Sequence, residues 1–493
     1  MGSGVKQIRV AGSRAGKGRI RVNLVMDDAV ITAADGYTLT ETDIQRFESA
    51  NESYAVVQKT NSDGKLEGWF TEKPEHYHCI CGGENTVGDH QEHIKMAWTP
   101  WTETNSLPAE SGYYYLTANV NLSQEWEPLN ADIKLCLNGH SISQSGSSVK
   151  QIIHDRCDLT ITDCAKTPGT IQPSGVQCRG IYINYATLTM YGGVLQYCVN
   201  TGSKLTAAEL SKGLGGGVLV GRSSTFTMYG GEITKCSGIR SGATASSAGG
   251  GVDIEGGSFR MYGGKISDCY AANEWDLASG GNGGGVNVGN IYAGSSFAMH
   301  GGEILDCSAN LGGGVYVGSE GSFTMSGGKI SGCNAVTGSG VYSRSAKTYL
   351  SGGPVIYGNQ AGNLYVLAAA GAQISVYKKL TADAKLGIYT NYTGDPLVIG
   401  SGDYKLTEDD LKAFAPDQDG YRIIGKQTST GTLQGWLKEI KNITITFDPN
   451  NGGQATTVTG ENGSPLEAPK VEREGYTFAG WKPAVPDTIP DVN

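Results

Sequence analysis

The densest group of metal-ligand side chains in the sequence lies in one short run before residue 95. His76-Tyr77-His78-Cys79-Ile80-Cys81 is followed by His90 and His93, so this run holds four of the seven histidines. Imidazole nitrogen and thiolate sulfur are ligands that tetrahedral zinc prefers, and a metal can order a small loop that has no apolar core. The run therefore predicts a structural zinc site, with the candidate ligands His76, His78, Cys79, Cys81, His90 and His93.

Two other interpretations of this run remain open. Cys-x-Cys is less specific for zinc than Cys-x-x-Cys, and six candidate ligands exceed the four that a tetrahedral ion takes. Cys79 could instead form a disulfide with Cys81, or either could pair with another cysteine. The whole stretch could also be an ordinary polar linker.

A second candidate binding site lies in an insertion at residues 271–282. Trp275 stands there beside Asn273 and Asp276, and an exposed indole next to carboxylates can stack on a sugar ring. Loops on a rigid repeat scaffold vary independently of its core and often carry binding residues. The alternative is that Trp275 folds back over the scaffold, since tryptophan is usually largely buried.

The elements that must position these residues are imperfect repeats marked by Gly-Gly-x-Ile/Leu-x-x-Cys. Within a unit, Val315-x-Val317 and Phe323-x-Met325 alternate with polar or small residues, which is the period-two pattern of strands. Three such strands with corners between them predict one coil of a solenoid. We therefore predict an all-β protein in which residues 106–400 form a right-handed parallel β-helix. The repeats end at Cys198, Cys236, Cys269, Cys307 and Cys333.

Stacking of coils makes two further predictions about individual residue types. Equivalent Phe, Met, Ile and Cys residues should form ladders inside the solenoid, with the cysteines acting as buried small hydrophobes rather than reactive thiols. The glycine-rich corners, such as Gly283 to Val286 and Gly312 to Val315, suit backbone conformations with positive φ.

A long-range duplication flanks the solenoid. Tyr37-x-Leu39-Thr40-x-x-Asp43 recurs as Tyr404-x-Leu406-Thr407-x-x-Asp410, and the match continues without a gap to Trp69 and Trp436. The second copy, residues 401–438, repeats residues 34–71 and is expected to cap the solenoid, because end coils expose core and strand edges. Residues 1–70 are then expected to be the remnant and cap of a preceding β-helix, with residues 71–105 as the His/Cys-rich linker. The chain is thus expected to be cut from a longer array.

Charge and hydropathy restrict the partners. The 48 acidic residues outnumber the 38 basic ones, giving a net charge of −10, which argues against nucleic acid as a partner. No stretch approaches the roughly 18 apolar residues of a membrane span. Residues 1–22 also lack the apolar core of a signal peptide.

The C-terminal region resembles a known family. The segments concerned are Ile443 to Phe447, Asp448-Pro449-Asn450-Asn451-Gly452-Gly453 and Glu474-Gly475-Tyr476-Thr477-Phe478-Ala479-Gly480-Trp481. They resemble the internalin-type B repeat, or Listeria-Bacteroides repeat, which implies a small β-grasp-like module found in strings on bacterial surface proteins. The family's closing strand is missing, so residues 439–493 are expected to form an incomplete copy.

The solenoid also resembles β-helices of large surface proteins of gut Firmicutes. The opening Leu107-Pro108 to Tyr113-Tyr114-Tyr115-Leu116-Thr117, with Leu135-Cys136-Leu137-Asn138-Gly139-His140, carries this likeness. It implies an extracellular location on the bacterial surface and a host or environmental glycan or protein as partner.

Function follows less directly from these features. We predict a non-enzymatic, adhesin-like stalk and binding scaffold that could bind glycans, and we assign no catalytic residue. The alternative is a polysaccharide lyase or glycoside hydrolase, because β-helices host both. Its candidate carboxylates would include Asp155, Asp158 and Asp163.

Overall fold

The chain is an all-β solenoid, as the sequence predicts. The computed structural model describes residues 6–12, 20–22, 29–51, 53–72, 76–82, 95–201, 215–240, 249–273, 281–289, 294–367, 372–390, 396–450 and 452–490. Strands dominate these residues, and the two helices are single turns, Glu41–Ile44 and Glu408–Leu411. Neither helix has the length or apolar character needed to cross a membrane.

Three parallel sheets run along the solenoid, and we name them after their interior residues. The Phe sheet contains Thr99–Trp101, Gly112–Leu116, Leu129–Cys136, the second half of Gln151–Thr162, Thr187–Met190, Thr225–Met228, Ser258–Met261, Ser296–Met299, Ser322–Met325, Thr348–Gly352, Ile374–Leu380 and Val398–Gly400. The Ile sheet contains Val120–Leu122, Ile142–Gln144, Thr170–Pro173, Val194–Gln196, Glu232–Thr234, Lys265–Ser267, Glu303–Leu305, Lys329–Ser331, Val355–Ile356, Lys385–Tyr389 and Phe414–Pro416.

The Val sheet completes each coil. It contains the first half of Gln151–Thr162, then Arg179–Ile183, Val218–Val220, Val252–Ile254, Val286–Val288, Val315–Val317, Val341–Ser343 and Leu364–Val366. A shorter corner sheet contains Val199–Asn200, Ser237–Arg240, Tyr270–Asn273, Ser308–Leu311 and Asn334–Thr337.

The predicted interior ladders are confirmed residue by residue. Phe226, Phe259, Phe297 and Phe323 are direct partners on successive strands, and their rings stack with centroids 4.6, 4.9 and 5.4 Å apart. The four side chains are at most 1% exposed. Identical residues therefore fill identical positions in neighbouring coils, so one coil's packing is repeated along the stack.

The repeat cysteines form a second interior ladder. Its members form no disulfide and are fully buried: Cys198, Cys236, Cys269, Cys307 and Cys333. Burial raises the pKa of the Cys236, Cys269 and Cys307 thiols, because the apolar interior disfavours the thiolate. The prediction that these cysteines act as small hydrophobes is confirmed.

The glycine-rich corners need glycine mainly for close backbone contact. Among the described corner triplets that precede the Val sheet, Gly283 (φ 70°), Gly312 (φ 63°) and Gly338 (φ 61°) have a positive φ, each at the first position of its triplet. A Cβ atom on Gly284 would lie 2.4 Å from the carbonyl oxygen of Ser308, and one on Gly250 would lie 2.3 Å from that of Gly284. The predicted positive φ was therefore wrong at most corner positions, where backbone of the neighbouring strand or coil leaves no room for a side chain.

Two of the chain insertions, residues 241–248 and 274–280, follow strands of the corner sheet. Ser237–Arg240 pairs in register with Tyr270–Asn273 on the next coil, and each strand leads into an insertion. The corner residues that follow are also paired, since the Gly250 N–H donates to the carbonyl of Gly283. Insertions of different length thus leave the stacking of coils unchanged.

The duplicated segments contain the same elements, displaced by 367 residues. The first module, residues 29–72, has strands Ala29–Ala33, Phe47–Ser49, Tyr54–Thr60 and Leu66–Glu72, beside Lys6–Val10 and Ile20–Val22. The last module, residues 396–439, has Phe414–Pro416, Tyr421–Gln427 and Leu433–Glu439 at matching positions. Each helix begins with a capping box, formed by Thr40 with Asp43 and by Thr407 with Asp410.

Asp410 ties the last module to the solenoid. Its buried carboxylate accepts hydrogen bonds from Tyr404 Oη (2.7 Å), Thr407 N (2.9 Å) and Thr407 Oγ1 (2.6 Å), and from Leu380 N (2.9 Å) of the solenoid. Burial opposes its ionisation, but these donors outweigh burial and lower the pKa of Asp410.

Asp410→Ala should lower the free energy of unfolding by about 2–4 kcal/mol, since buried donors would lose their acceptor. Urea unfolding followed by tryptophan fluorescence measures this change. The neighbouring Asp409→Ala is the control, because Asp409 is exposed and pairs only with exposed Lys412 (2.7 Å). Equal effects of the two substitutions would contradict the assignment.

The C-terminal residues form a separate small hairpin. Strand Asn442–Phe447 pairs antiparallel with Thr456–Glu461. Phe447, Leu466 and Ile489 form its small core, and Trp481 packs edge-on against Phe447 with ring centroids 5.0 Å apart.

Candidate metal centre

His76 and His78 lie on the linker that precedes the solenoid. Strand Tyr77–Cys79 pairs antiparallel with Lys95–Ala97, and this hairpin places both imidazoles over aromatic rings. His76 stacks on Tyr115 of the Phe sheet with ring centroids 4.0 Å apart, and His78 stacks on Trp98 at 4.5 Å. The Trp98 indole N–H donates to the backbone carbonyl of His78 (3.1 Å). These ring contacts fix the orientation of both imidazoles.

Cys136 and Cys164 reach the same place from the first coils. In strand Leu129–Cys136, Leu135 points into the interior, so the next residue, Cys136, must point outward. Cys136 is nevertheless fully buried, because the linker covers it. Cys164 lies in the turn after Gln151–Thr162, where it follows Asp163.

Asp163 shapes the turn that carries Cys164. Its carboxylate accepts hydrogen bonds from the backbone N–H groups of Gly139 (3.1 Å), Ala165 (2.9 Å) and Gly169 (2.6 Å). Burial raises the pKa of Asp163, and these N–H groups act against that effect. This carboxylate therefore holds the backbone of the turn in place.

The four side chains form one compact cluster. Their ligand atoms all lie within 4.8 Å of one another. His76 Nε2 is 2.8 Å from His78 Nε2 and 3.6 Å from Cys164 Sγ, and Cys164 Sγ is 3.6 Å from Cys136 Sγ. Two nitrogens and two sulfurs are a donor set of tetrahedral structural zinc sites, in which no position is left for substrate.

The pKa values of the two thiols shift in opposite directions. The hydrogen bond from Cys136 lowers the pKa of Cys164, and the nearby imidazoles lower it further although burial opposes this. The same hydrogen bond and burial raise the pKa of Cys136. A thiolate at Cys164 is the form that binds metal.

No family model, curated protein or solved structure matches this chain. What this site does must therefore follow from its own atoms. The resemblances to the internalin-type B repeat and to surface β-helices stay predictions.

The six predicted zinc ligands do not form one site in the structure. His76 and His78 lie in the cluster, whereas Cys79 and Cys81 are joined to each other by a disulfide. His90 and His93 lie outside the described residues. The signal that could have revealed Cys136 and Cys164 is that both fall outside the Gly-Gly-x-Ile/Leu-x-x-Cys positions, and that Cys136 alternates with an inward leucine.

The residues of the predicted glycan site lie mostly outside the part of the chain that the structure describes. Trp275 and Asp276 lie outside the described residues, and so does the side chain of Asn273, whose backbone ends strand Tyr270–Asn273.

The remaining candidate carboxylates have different surroundings. Asp155 is fully buried, and its partner on the next coil is the interior residue Ile183. Burial raises the pKa of Asp155 to about 7, although it accepts a hydrogen bond from the N–H of Cys157 (3.1 Å). Asp158, by contrast, is exposed.

Asp158 lines an open groove of about 460 Å³ along one edge of the Phe sheet. Asp132 is its direct neighbour on the preceding coil, and Tyr185, which is 70% exposed, stands on the following coil. Arg156 also lines the groove and pairs with Glu127 (2.9 Å). These residues could contact a ligand that lies across several coils.

Proposed function

We propose that this chain is a non-enzymatic segment of a large extracellular bacterial protein, in which the solenoid is an adhesin-like stalk and binding scaffold. The observation that supports it best is the unbroken series of ten parallel pairings in the Phe sheet from Gly112–Leu116 to Val398–Gly400. At about 4.8 Å per pairing, this stack spans roughly 50 Å. Such a rod holds attached modules at a set distance.

The outer face of the Ile sheet also fits a scaffold. Glu232, Lys265, Glu303 and Lys329 are direct partners on successive coils, so opposite charges alternate along the rod. Lys265 Nζ lies 3.1 Å from the Glu232 carboxylate, and both side chains are partly exposed. Exposed pairs of this kind contribute about 0–1 kcal/mol each and serve mainly to solvate the face.

A carbohydrate-active enzyme is the second candidate, and the groove at Asp158 is the observation that favours it. Two carboxylates on adjacent coils could act on a polysaccharide laid along the rod. Tyr185 could stack on one of its sugar rings. The same groove without hydrolysis would make the stalk a glycan-binding one.

An activity screen separates these candidates. The full chain should release no reducing ends or unsaturated products from uronic-acid and mucin-type polysaccharides. The variants Asp158→Asn and Asp132→Asn are compared with Asp409→Asn, which removes another exposed carboxylate far along the chain. Turnover that disappears in either groove variant but persists in Asp409→Asn would replace the stalk by an enzyme.

A further inference from the structure

We infer that one Zn²⁺ ion binds His76 Nε2, His78 Nε2, Cys136 Sγ and Cys164 Sγ, and that it locks the linker and the first module onto the solenoid. The biological purpose of the lock rests on the proposed stalk function, because a stalk built from successive units needs stiff junctions. The binding of the ion stands on geometry alone.

Three distances between ligand atoms lie close to those around a tetrahedral ion. With Zn–S of about 2.3 Å and Zn–N of about 2.0–2.1 Å, tetrahedral angles separate two sulfurs by about 3.8 Å, sulfur from nitrogen by about 3.6 Å and two nitrogens by about 3.3 Å. The Cys136–Cys164 sulfurs are 3.6 Å apart, and Cys164 Sγ is 3.6 Å from His76 Nε2. The two Nε2 atoms, at 2.8 Å, need to separate by only about half an ångström.

The surroundings orient the ligands as zinc sites require. His78 Nδ1 lies 2.5 Å from the carbonyl oxygen of Cys79, so this nitrogen carries the proton and leaves Nε2 free to bind. The stacking of His76 on Tyr115 and of His78 on Trp98 restricts both rings. Zinc rather than magnesium or calcium follows from the two sulfur ligands, since those ions prefer oxygen.

The ligands come from parts of the chain that would otherwise meet only by packing. His76 and His78 belong to the linker, whereas Cys136 and Cys164 belong to two successive coils. The linker lies close to the solenoid here, because a Cβ atom on Gly82 would lie 2.2 Å from the carbonyl oxygen of Asp163. The ion would therefore cross-link three chain segments at one point.

The lock extends to the first module through the same hairpin. A cavity of about 400 Å³ separates this module from the first coil, and its walls include Glu41, Tyr77, Lys95 and Tyr113. Glu41 belongs to the first module and Tyr113 to the first coil, so both units line this cavity. Because the ion would hold the hairpin to the first coils beside this cavity, it would limit movement of the module that the hairpin joins to the solenoid.

Metal content is the first test. The full chain, made without a histidine tag and kept under inert gas, is loaded with Zn²⁺ and then dialysed, and about one zinc per chain should remain. Cys136→Ser and Cys164→Ser should each weaken zinc binding more than about a hundredfold in chelator competition, beyond the loss typical of residues that only orient ligands. Cobalt in place of zinc should give tetrahedral thiolate absorption that both variants lose.

Two control variants make this test specific. Cys307→Ser removes a fully buried ladder thiol, and the double variant Cys79→Ser/Cys81→Ser removes the sulfurs that the sequence pattern offered. Both controls should keep one zinc per chain. Less than about half an equivalent in the wild type, or full zinc retention in Cys136→Ser/Cys164→Ser, overturns the site.

Hydrogen exchange tests the lock separately. Chelation should speed amide exchange in residues 76–82 and 95–101 but leave Ser296–Met299 and Ser322–Met325 unchanged. If zinc binds but chelation does not change amide exchange in these residues, the lock is refuted and the zinc site stands. Polysaccharide turnover would refute the stalk and leave both zinc results as they are, so the two proposals fail in distinguishable ways.

Discussion

Phe259→Ala is expected to lower the free energy of unfolding by about 3–5 kcal/mol, among the largest effects of any single substitution in this chain. Phe259 is fully buried in the middle of the Phe ladder, between Phe226 and Phe297. Its removal leaves a cavity inside the solenoid and breaks two ring contacts, each of which adds about 0.5–1.5 kcal/mol beyond burial. Urea unfolding followed by circular dichroism measures the change.

Tyr262→Ala is the matched control for this substitution. Tyr262 lies three residues along the chain and stacks in the same way on Tyr229 (5.0 Å) and His300 (4.8 Å), but it does so on the partly exposed outer face. Because water can fill the space that its ring leaves, its loss should cost less than half as much as that of Phe259. Similar losses for both variants would show that the interior of the solenoid is loosely packed.

Asp155→Asn should remove a large pH dependence of stability. Burial raises the pKa of Asp155 to about 7 in the folded chain, against an ordinary value of 3.8. A carboxyl with a raised folded pKa stabilises the fold while it is protonated, and this contribution is lost as pH rises from about 4 through 7. At about 1.4 kcal/mol per pKa unit, this shift of about three units corresponds to a loss of about 4 kcal/mol above pH 7.

Asparagine keeps the shape of the side chain without the ionisation. It can still accept from the Cys157 N–H, so the variant should match the wild type at or below about pH 4 and exceed it in unfolding free energy at pH 8. Urea unfolding at both pH values measures this difference. Asp158→Asn, which removes an exposed carboxylate from the same strand, should leave the wild-type pH dependence in place. An unchanged pH slope in Asp155→Asn would show that Asp155 is not the titrating group.

The fold was predictable from the sequence because aligning the repeats gives the register in which neighbouring coils pair. Phe226, Phe259, Phe297 and Phe323 align by the glycine pairs that follow them, and the structure pairs these residues directly. Strand periodicity then decides which side chains point inward. The corners were harder, because a close approach between backbones and a positive φ both select glycine, and sequence alone does not separate the two.

The candidate metal cluster was only half predictable. His76 and His78 are close in sequence and form an obvious ligand pair, but Cys164 is 88 residues from His76. Their meeting depends on how the linker hairpin folds back over the Phe sheet, and neither periodicity nor repeat spacing describes that contact. The sequence pattern predicted Cys79 and Cys81 as ligands because they lie next to His78 in the sequence. In the structure their sulfurs are bonded to each other.

The corner sheet sets a regular spacing for the insertions that follow its strands. Strands Ser237–Arg240 and Tyr270–Asn273 lead into their insertions one coil apart, so peptides carried there start about 4.8 Å from each other along the axis. A partner with repeated epitopes could therefore engage several insertions at once, and weak single contacts would add up through avidity. Insertion lengths could change without disturbing this spacing, which lets specificity vary while the periodicity of display stays constant.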